Sequence, residues 1–135
     1  MRQNLVIDMF YHAMAKILLA EDHHLTRTTL GRFLRASGYD VELAQDGTQA
    51  VSLLNEHEFD LVLSDVVMPN GNGWDLVDHV GAVSPDTPVL LMTAYAPLQS
   101  RQAQSGVMPE VILKPLVLTE LLVKIQQLLS RKSSS

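Results

Sequence analysis

The chain has 135 residues, 47% of them hydrophobic and 19% charged, with few glycines and prolines, which excludes a disordered or fibrous polymer and leaves room for one domain with a proper core. A formal charge of -5 and ten scattered basic residues argue against direct nucleic-acid contact, which needs clustered Lys and Arg to displace counterions. Cysteine is absent, which excludes disulfides and thiol chemistry and fits a cytoplasmic location, and no apolar run approaches the roughly 18 to 20 residues that cross a bilayer, so no membrane contact is expected.

The first fifteen residues, MRQNLVIDMFYHAMA, carry an apolar middle and an Ala-Met-Ala ending that resembles a signal cleavage site, but Asp8 in the apolar stretch argues against secretion. Val6, Met9, Phe10 and Ala13 have helical spacing, so this extension reads as a short amphipathic helix docked on its own domain or on a second copy, the basis for a possible homodimer. The organisation expected is therefore an extension over 1–15, one domain over 16–130 and a polar tail over 131–135.

From residue 16 onward, short apolar runs alternate with segments of helical period. The runs are Ile17-Leu18-Leu19-Ala20, Val41-Glu42-Leu43-Ala44, Leu61-Val62-Leu63, Val89-Leu90-Leu91-Met92 and Val111-Ile112-Leu113. All but the second are continuous, as expected of strands covered on both faces of a parallel sheet, and the second reads as an edge. Between and after them stand apolar stripes: Leu30, Phe33 and Leu34; Ala50, Leu53 and Leu54; Leu76, Val77 and Val80; then Leu118, Leu121, Leu122, Ile125, Leu128 and Leu129. The punctuation agrees, with Gly38 after the first helix, Asp46-Gly47 opening the second and Ser84-Pro85 closing the third. Five βα units of this kind imply an α/β fold, a doubly wound five-stranded parallel sheet with right-handed crossovers.

Ligands of such open sheets bind at the carboxyl ends of the strands, so the residues standing there are the candidates. The first strand runs into Glu21 and Asp22, the third into Asp65, the fourth into Thr93 and the fifth into Lys114. Singly, each has a structural explanation: Asp22 could cap a helix, Asp65 start a turn, Thr93 end a strand and Lys114 face solvent. Three carboxylates on one rim are harder to explain that way, because two like charges about 4 Å apart repel by roughly 4 kcal/mol at an effective dielectric of 20. A bound cation removes that cost, and oxygen-only donors suit Mg²⁺. Asp65 could then act as a carboxylate nucleophile toward phosphorus, with Lys114 and Thr93 serving the phosphoryl oxygens.

The motifs ILLAEDHH, LVLSDVVMPNGNG, LLMTAY and VILKP, in this order over residues 16 to 129, resemble the response-regulator receiver domains of two-component signalling, the chemotaxis-type phosphoacceptor domains. The resemblance implies a flavodoxin-like (βα)5 fold with strand order 2-1-3-4-5. It also implies that Glu21, Asp22, Asp65 and the backbone carbonyl of Val67 hold Mg²⁺, that Asp65 is the phosphoacceptor, and that Thr93 and Lys114 bind the phosphoryl group. Pro115 would follow a cis peptide. The implied partners are a histidine kinase or histidine phosphotransfer protein as donor and a downstream target protein or output domain. Such a domain catalyses its own phosphorylation and dephosphorylation and is not a turnover enzyme.

The sequence departs from the family pattern at Val111, where an aromatic ring usually reports the state of the site; valine is stiff and short. Val67 and Tyr95 would flank the phosphoryl group without orienting water and so slow hydrolysis. Residues 96 to 106, bracketed by Pro97 and Pro109, look short for the helix expected there. His23 and His24 fit a solvated first helical turn better than a Mg²⁺ site. A flavodoxin-like cofactor carrier is disfavoured by two carboxylates where a phosphate-binding loop wants amides. An Asp-nucleophile phosphatase would place an acid at Val67. The alternative within the family is a degenerate receiver that serves as a protein-interaction module without phosphorylation.

Overall fold

The computed structural model describes residues 14–94 and 109–134, with side chains to residue 131. The expectations for the N-terminal extension, for Tyr95 and for the helix between the fourth and fifth strands lie outside these residues. Five strands form one parallel sheet: β1 (Lys16–Ala20), β2 (Asp40–Ala44), β3 (Leu61–Asp65), β4 (Val89–Thr93) and β5 (Glu110–Leu113), in the order β2-β1-β3-β4-β5. The described helices are α1 (His24–Ala36), α2 (Gly47–Glu56), α3 (Gly73–Val83) and α4 (Leu118–Ser134).

Side chains alternate across each strand, so a run such as Ile17-Leu18-Leu19-Ala20 feeds two cores at once. Ile17 and Leu19 join Leu30, Leu34, Leu63, Met92, Leu121 and Ile125 under α1 and α4. Leu18 and Ala20 join Ala50, Val62, Trp74, Leu76, Val77 and Val80 under α2 and α3. This explains the continuous apolar runs: both faces of the central strands are covered, and β1, β3 and β4 are buried almost throughout. β2 is an edge, as its alternation predicts, and β5 is the other; β5 is half-buried, with Leu113 exposed, so its continuous run overstates its coverage. In the last helical stripe Leu118 is likewise exposed, because it lies ahead of the turn of α4 that meets the sheet.

The helix ends follow the punctuation. Asp46 caps α2 by accepting from the Gln49 amide at 2.8 Å, Gly38 takes φ 102 just past α1, and Ser84 closes α3. Asn72 and Asp75 form a reciprocal capping box at the start of α3, each accepting the other's backbone N–H at 3.0 Å. The cap of α1 is His23, whose ring nitrogen accepts from the Thr26 amide, and not Asp22; the latter carboxylate is thereby left to face the strand ends.

Candidate functional site

The register of the sheet explains why distant residues meet. In β1 and β3, Ala20 pairs with Ser64, so the residues one step on, Glu21 and Asp65, leave adjacent strands at the same level. In β3 and β4, Asp65 pairs with Met92, and Thr93 follows; in β4 and β5, Thr93 pairs with Leu113, and Lys114 follows. Three parallel strand pairings thus bring positions far apart in sequence to one rim.

There the Lys114 Nζ lies 2.9 Å from Asp65 Oδ2, a hydrogen-bonded ion pair, and 3.6 Å from Glu21 Oε1. Glu21, Asp65 and Thr93 are buried, Lys114 is half-buried and Asp22 is exposed. Each of Glu21, Asp22 and Asp65 offers a carboxylate oxygen, and these three atoms lie within 4.8 Å of one another. The turn that carries the first two is held by Arg27, whose guanidinium donates to the backbone carbonyls of Glu21 at 2.9 Å and Asp22 at 3.2 Å. The His24 ring is paired with that same guanidinium, so both histidines organise the start of α1, as a solvated first turn requires.

The electrostatics are those of a site short of positive charge. The Glu21 carboxyl is pushed up to about 8, by burial first and then by hydrogen bonding with, and repulsion from, the neighbouring Asp65 carboxyl; Lys114 acts in the opposite sense. Among the described residues, none donates a hydrogen bond to the buried Glu21 Oε2. Burial works against the Lys114 ammonium, but the Asp65 hydrogen bond and the charges of Asp65 and Glu21 outweigh it and hold the lysine above its ordinary range. A hard divalent cation fits this donor set: the ligands are oxygens only, one is a buried oxygen lacking a donor, and the repulsion among them is what a cation offsets.

The remaining expectations fall as follows. The Lys114–Pro115 peptide is cis. The Val67 side chain is 70% exposed two residues beyond Asp65. Val111 is half-buried against the core under α2 and α3, a packing role at the position where the resemblance leads one to expect a ring. Sequence reasoning missed Arg27, whose role depends on the turn closing over it, and Trp74, which stands fully buried at the start of α3. An Asn-x-x-Asp signature just ahead of an apolar stripe was the available signal for the capping box.

Fold and rim together define a doubly wound α/β protein with a lysine-paired acidic cluster at its strand ends. The family model described as response regulator receiver domain matches residues 17–126, and the chain belongs to that family: it is a receiver domain of the two-component response-regulator type. The response regulator MprA of Mycobacterium sp. (strain KMS) is 36% identical over 120 residues, covering 87% of this chain and 52% of MprA. The transcriptional regulatory protein CusR of Escherichia coli (strain K12) is 31% identical over 118 residues, covering 86% of this chain and 52% of CusR. Among solved structures, the response regulator protein TrrA of Thermotoga maritima, in complex with Mg(2+)-BeF, superposes with a TM-score of 0.78 at 28% identity, covering 85% of this chain and 99% of that one. The chemotaxis response regulator CheY4 of Vibrio cholerae gives 0.77 at 30% identity, covering 85% and 98%. The chain spans about half the length of the curated relatives it matches. The expectation of no nucleic-acid contact therefore concerns these residues alone and does not extend to a protein of the length of a transcriptional regulator. Among the described residues no helix is long and apolar enough to cross a membrane.

Proposed function

We propose that Asp65 accepts a phosphoryl group from a phosphohistidine on a partner kinase or phosphotransfer protein. A carboxylate oxygen of Asp65 forms a bond to phosphorus while the phosphorus–nitrogen bond to the donor imidazole breaks; that nitrogen keeps the electron pair and is protonated from solvent. The observation that carries this reading is the placement of Asp65, buried at the rim between Glu21 and an ammonium 2.9 Å away. Glu21, Asp22, Asp65 and the Val67 carbonyl are the residues that would hold Mg²⁺, and the ion when bound supplies neutralisation of carboxylate and phosphoryl charge. Lys114, already aimed at Asp65, exchanges part of that contact for a phosphoryl oxygen. Thr93, one register step beyond Asp65 on the neighbouring strand, donates its hydroxyl to another. The new charge, about -1.5 to -2, then alters how this end of the sheet binds a downstream partner or output domain.

Incubation with Mg²⁺ and acetyl phosphate followed by intact mass tests the reading. One added phosphate is expected, absent in Asp65→Asn and absent without Mg²⁺; an unmodified chain, or modification that persists in D65N, refutes it. The apolar Val67 side chain has no group to orient an attacking water, so Val67→Asn is expected to shorten the lifetime of the phosphorylated form. Equal lifetimes of wild type and V67N would remove Val67 from that role.

A further inference from the structure

The loop between β3 and α3 carries Val67, the backbone ligand in the reading above, and because Val67 is largely exposed its side chain does little to hold that peptide in place. Its position is set by the backbone on either side. Toward Asp65, the Val66 amide donates to the Met92 carbonyl at 3.0 Å, and the Gly73 amide donates to the Val66 carbonyl at 2.8 Å. On the far side, residues 69–71 rest on the first turn of α2. There the Gly47 amide donates to the Pro69 carbonyl at 3.4 Å, the Thr48 hydroxyl to the Asn70 carbonyl at 3.3 Å and Asn70 Nδ2 to Asp46 Oδ2 at 3.4 Å.

All three contacts on that side are long for hydrogen bonds, so each is weak, and fit must do most of the holding. The fit depends on one missing atom. A Cβ at Gly47 would lie 2.6 Å from the carbonyl oxygens of both Asn70 and Gly71 and 2.9 Å from the Gly71 carbonyl carbon, all backbone atoms with no rotamer to escape into. Conformation does not demand glycine here: the glycines with left-handed φ are Gly38 and Gly71. Position 47 is glycine for space.

We propose that Gly47, on a helix that supplies no ligand, is a positioning residue for the cation site: its bare Cα lets residues 69–71 seat on α2, and that contact fixes the peptide presenting the Val67 carbonyl. The inference rests on the reading of Glu21, Asp22, Asp65 and Val67 as the Mg²⁺ site. Linkage makes it reciprocal, since an ion held by that carbonyl tightens the loop on α2 by the same free energy that the loop contributes to holding the ion.

Calorimetric Mg²⁺ titration of the full chain, with thermal melting in the absence of Mg²⁺, tests it. Gly47→Ala is expected to weaken Mg²⁺ binding about tenfold, the scale of outer-shell substitutions. Its metal-free melting temperature should fall, because the loop must lift off α2 to admit the added carbon; a purely structural glycine would lower melting in the same way but leave affinity alone. Thr48→Ala, which removes a long hydrogen bond and adds no volume, should keep the wild-type affinity to within about twofold. Equal affinities of G47A and wild type, or a loss in T48A as large as that in G47A, overturn the proposal. Should G47A fail to fold, amide exchange in the wild type decides: Mg²⁺ should slow exchange of the Gly47 amide, and an unchanged rate overturns it. A wild type that binds no Mg²⁺ refutes instead the functional reading underneath.

Discussion

Lys114 is the single residue that pulls the site in two directions. Its ammonium neutralises Asp65 at 2.9 Å and reaches Glu21 at 3.6 Å, so it occupies the same negative potential that would attract a divalent ion. In Lys114→Ala that competitor is gone. Mg²⁺ affinity should rise on the order of tenfold, since a unit charge a few ångströms away is worth kcal/mol at an effective dielectric near 20. The same change removes a donor for the transferring group, so the rate of phosphate gain from acetyl phosphate should fall by about a hundredfold. The two effects have opposite signs, which separates them from general damage to the fold. Calorimetry and a mass-spectrometric time course read them independently, and weaker Mg²⁺ binding in K114A would mean that the lysine supports the cation by holding Asp65 in place.

Among the elements, β5 is the least covered strand of the sheet, and ion pairs tie it to α4. Glu110 meets Arg131 at 3.0 Å and Lys124 at 3.6 Å, all partly exposed. The Arg131 hydrogen bond, against a smaller opposing effect of burial and with help from the Lys124 charge, holds the Glu110 carboxyl below its ordinary 4.5. A carboxyl whose folded value is depressed stabilises the fold above its unfolded value and loses that contribution as pH falls through the folded one. Glu110→Gln should therefore cost roughly 0.5 kcal/mol at neutral pH, a figure already discounted for exposure and screening. The difference from wild type should shrink with added salt and vanish in acid; a difference that survives at low pH would assign it to packing. What could be read in the sequence divides along the same lines. The strands, the described helices and the strand-end residues were legible because continuous apolar runs and stripes encode coverage, and because parallel strands carry their C-terminal residues to one rim. The exposure of β5 and Leu118 was not, since apolar composition alone does not say which neighbours are present. Nor were the roles of Arg27 and Gly47, which arise where a turn closes on itself or where segments 22 residues apart touch.

For the molecule as a whole, adjacent residues of one strand belong to different cores: Leu19 packs under α1 and α4, Leu18 under α2 and α3, and both are fully buried. The sheet is thus a shared wall, and neither core can lose it without exposing the other. Small domains with one such wall unfold in a single cooperative step. Trp74, the only tryptophan of the chain, is buried in the second core, so its fluorescence reports that side alone, whereas far-ultraviolet circular dichroism reports all the described elements. Leu19→Ala damages only the first core and should destabilise by about 2 to 5 kcal/mol, the range for a large side chain removed from a packed site. If the wall couples the two sides, Trp74 must register that loss in full, although the substitution lies on the opposite face. Urea midpoints by fluorescence and by circular dichroism should then fall together. A fluorescence midpoint that stays at its wild-type value while the dichroism midpoint drops would show that α2 and α3 hold their half of the sheet without the other.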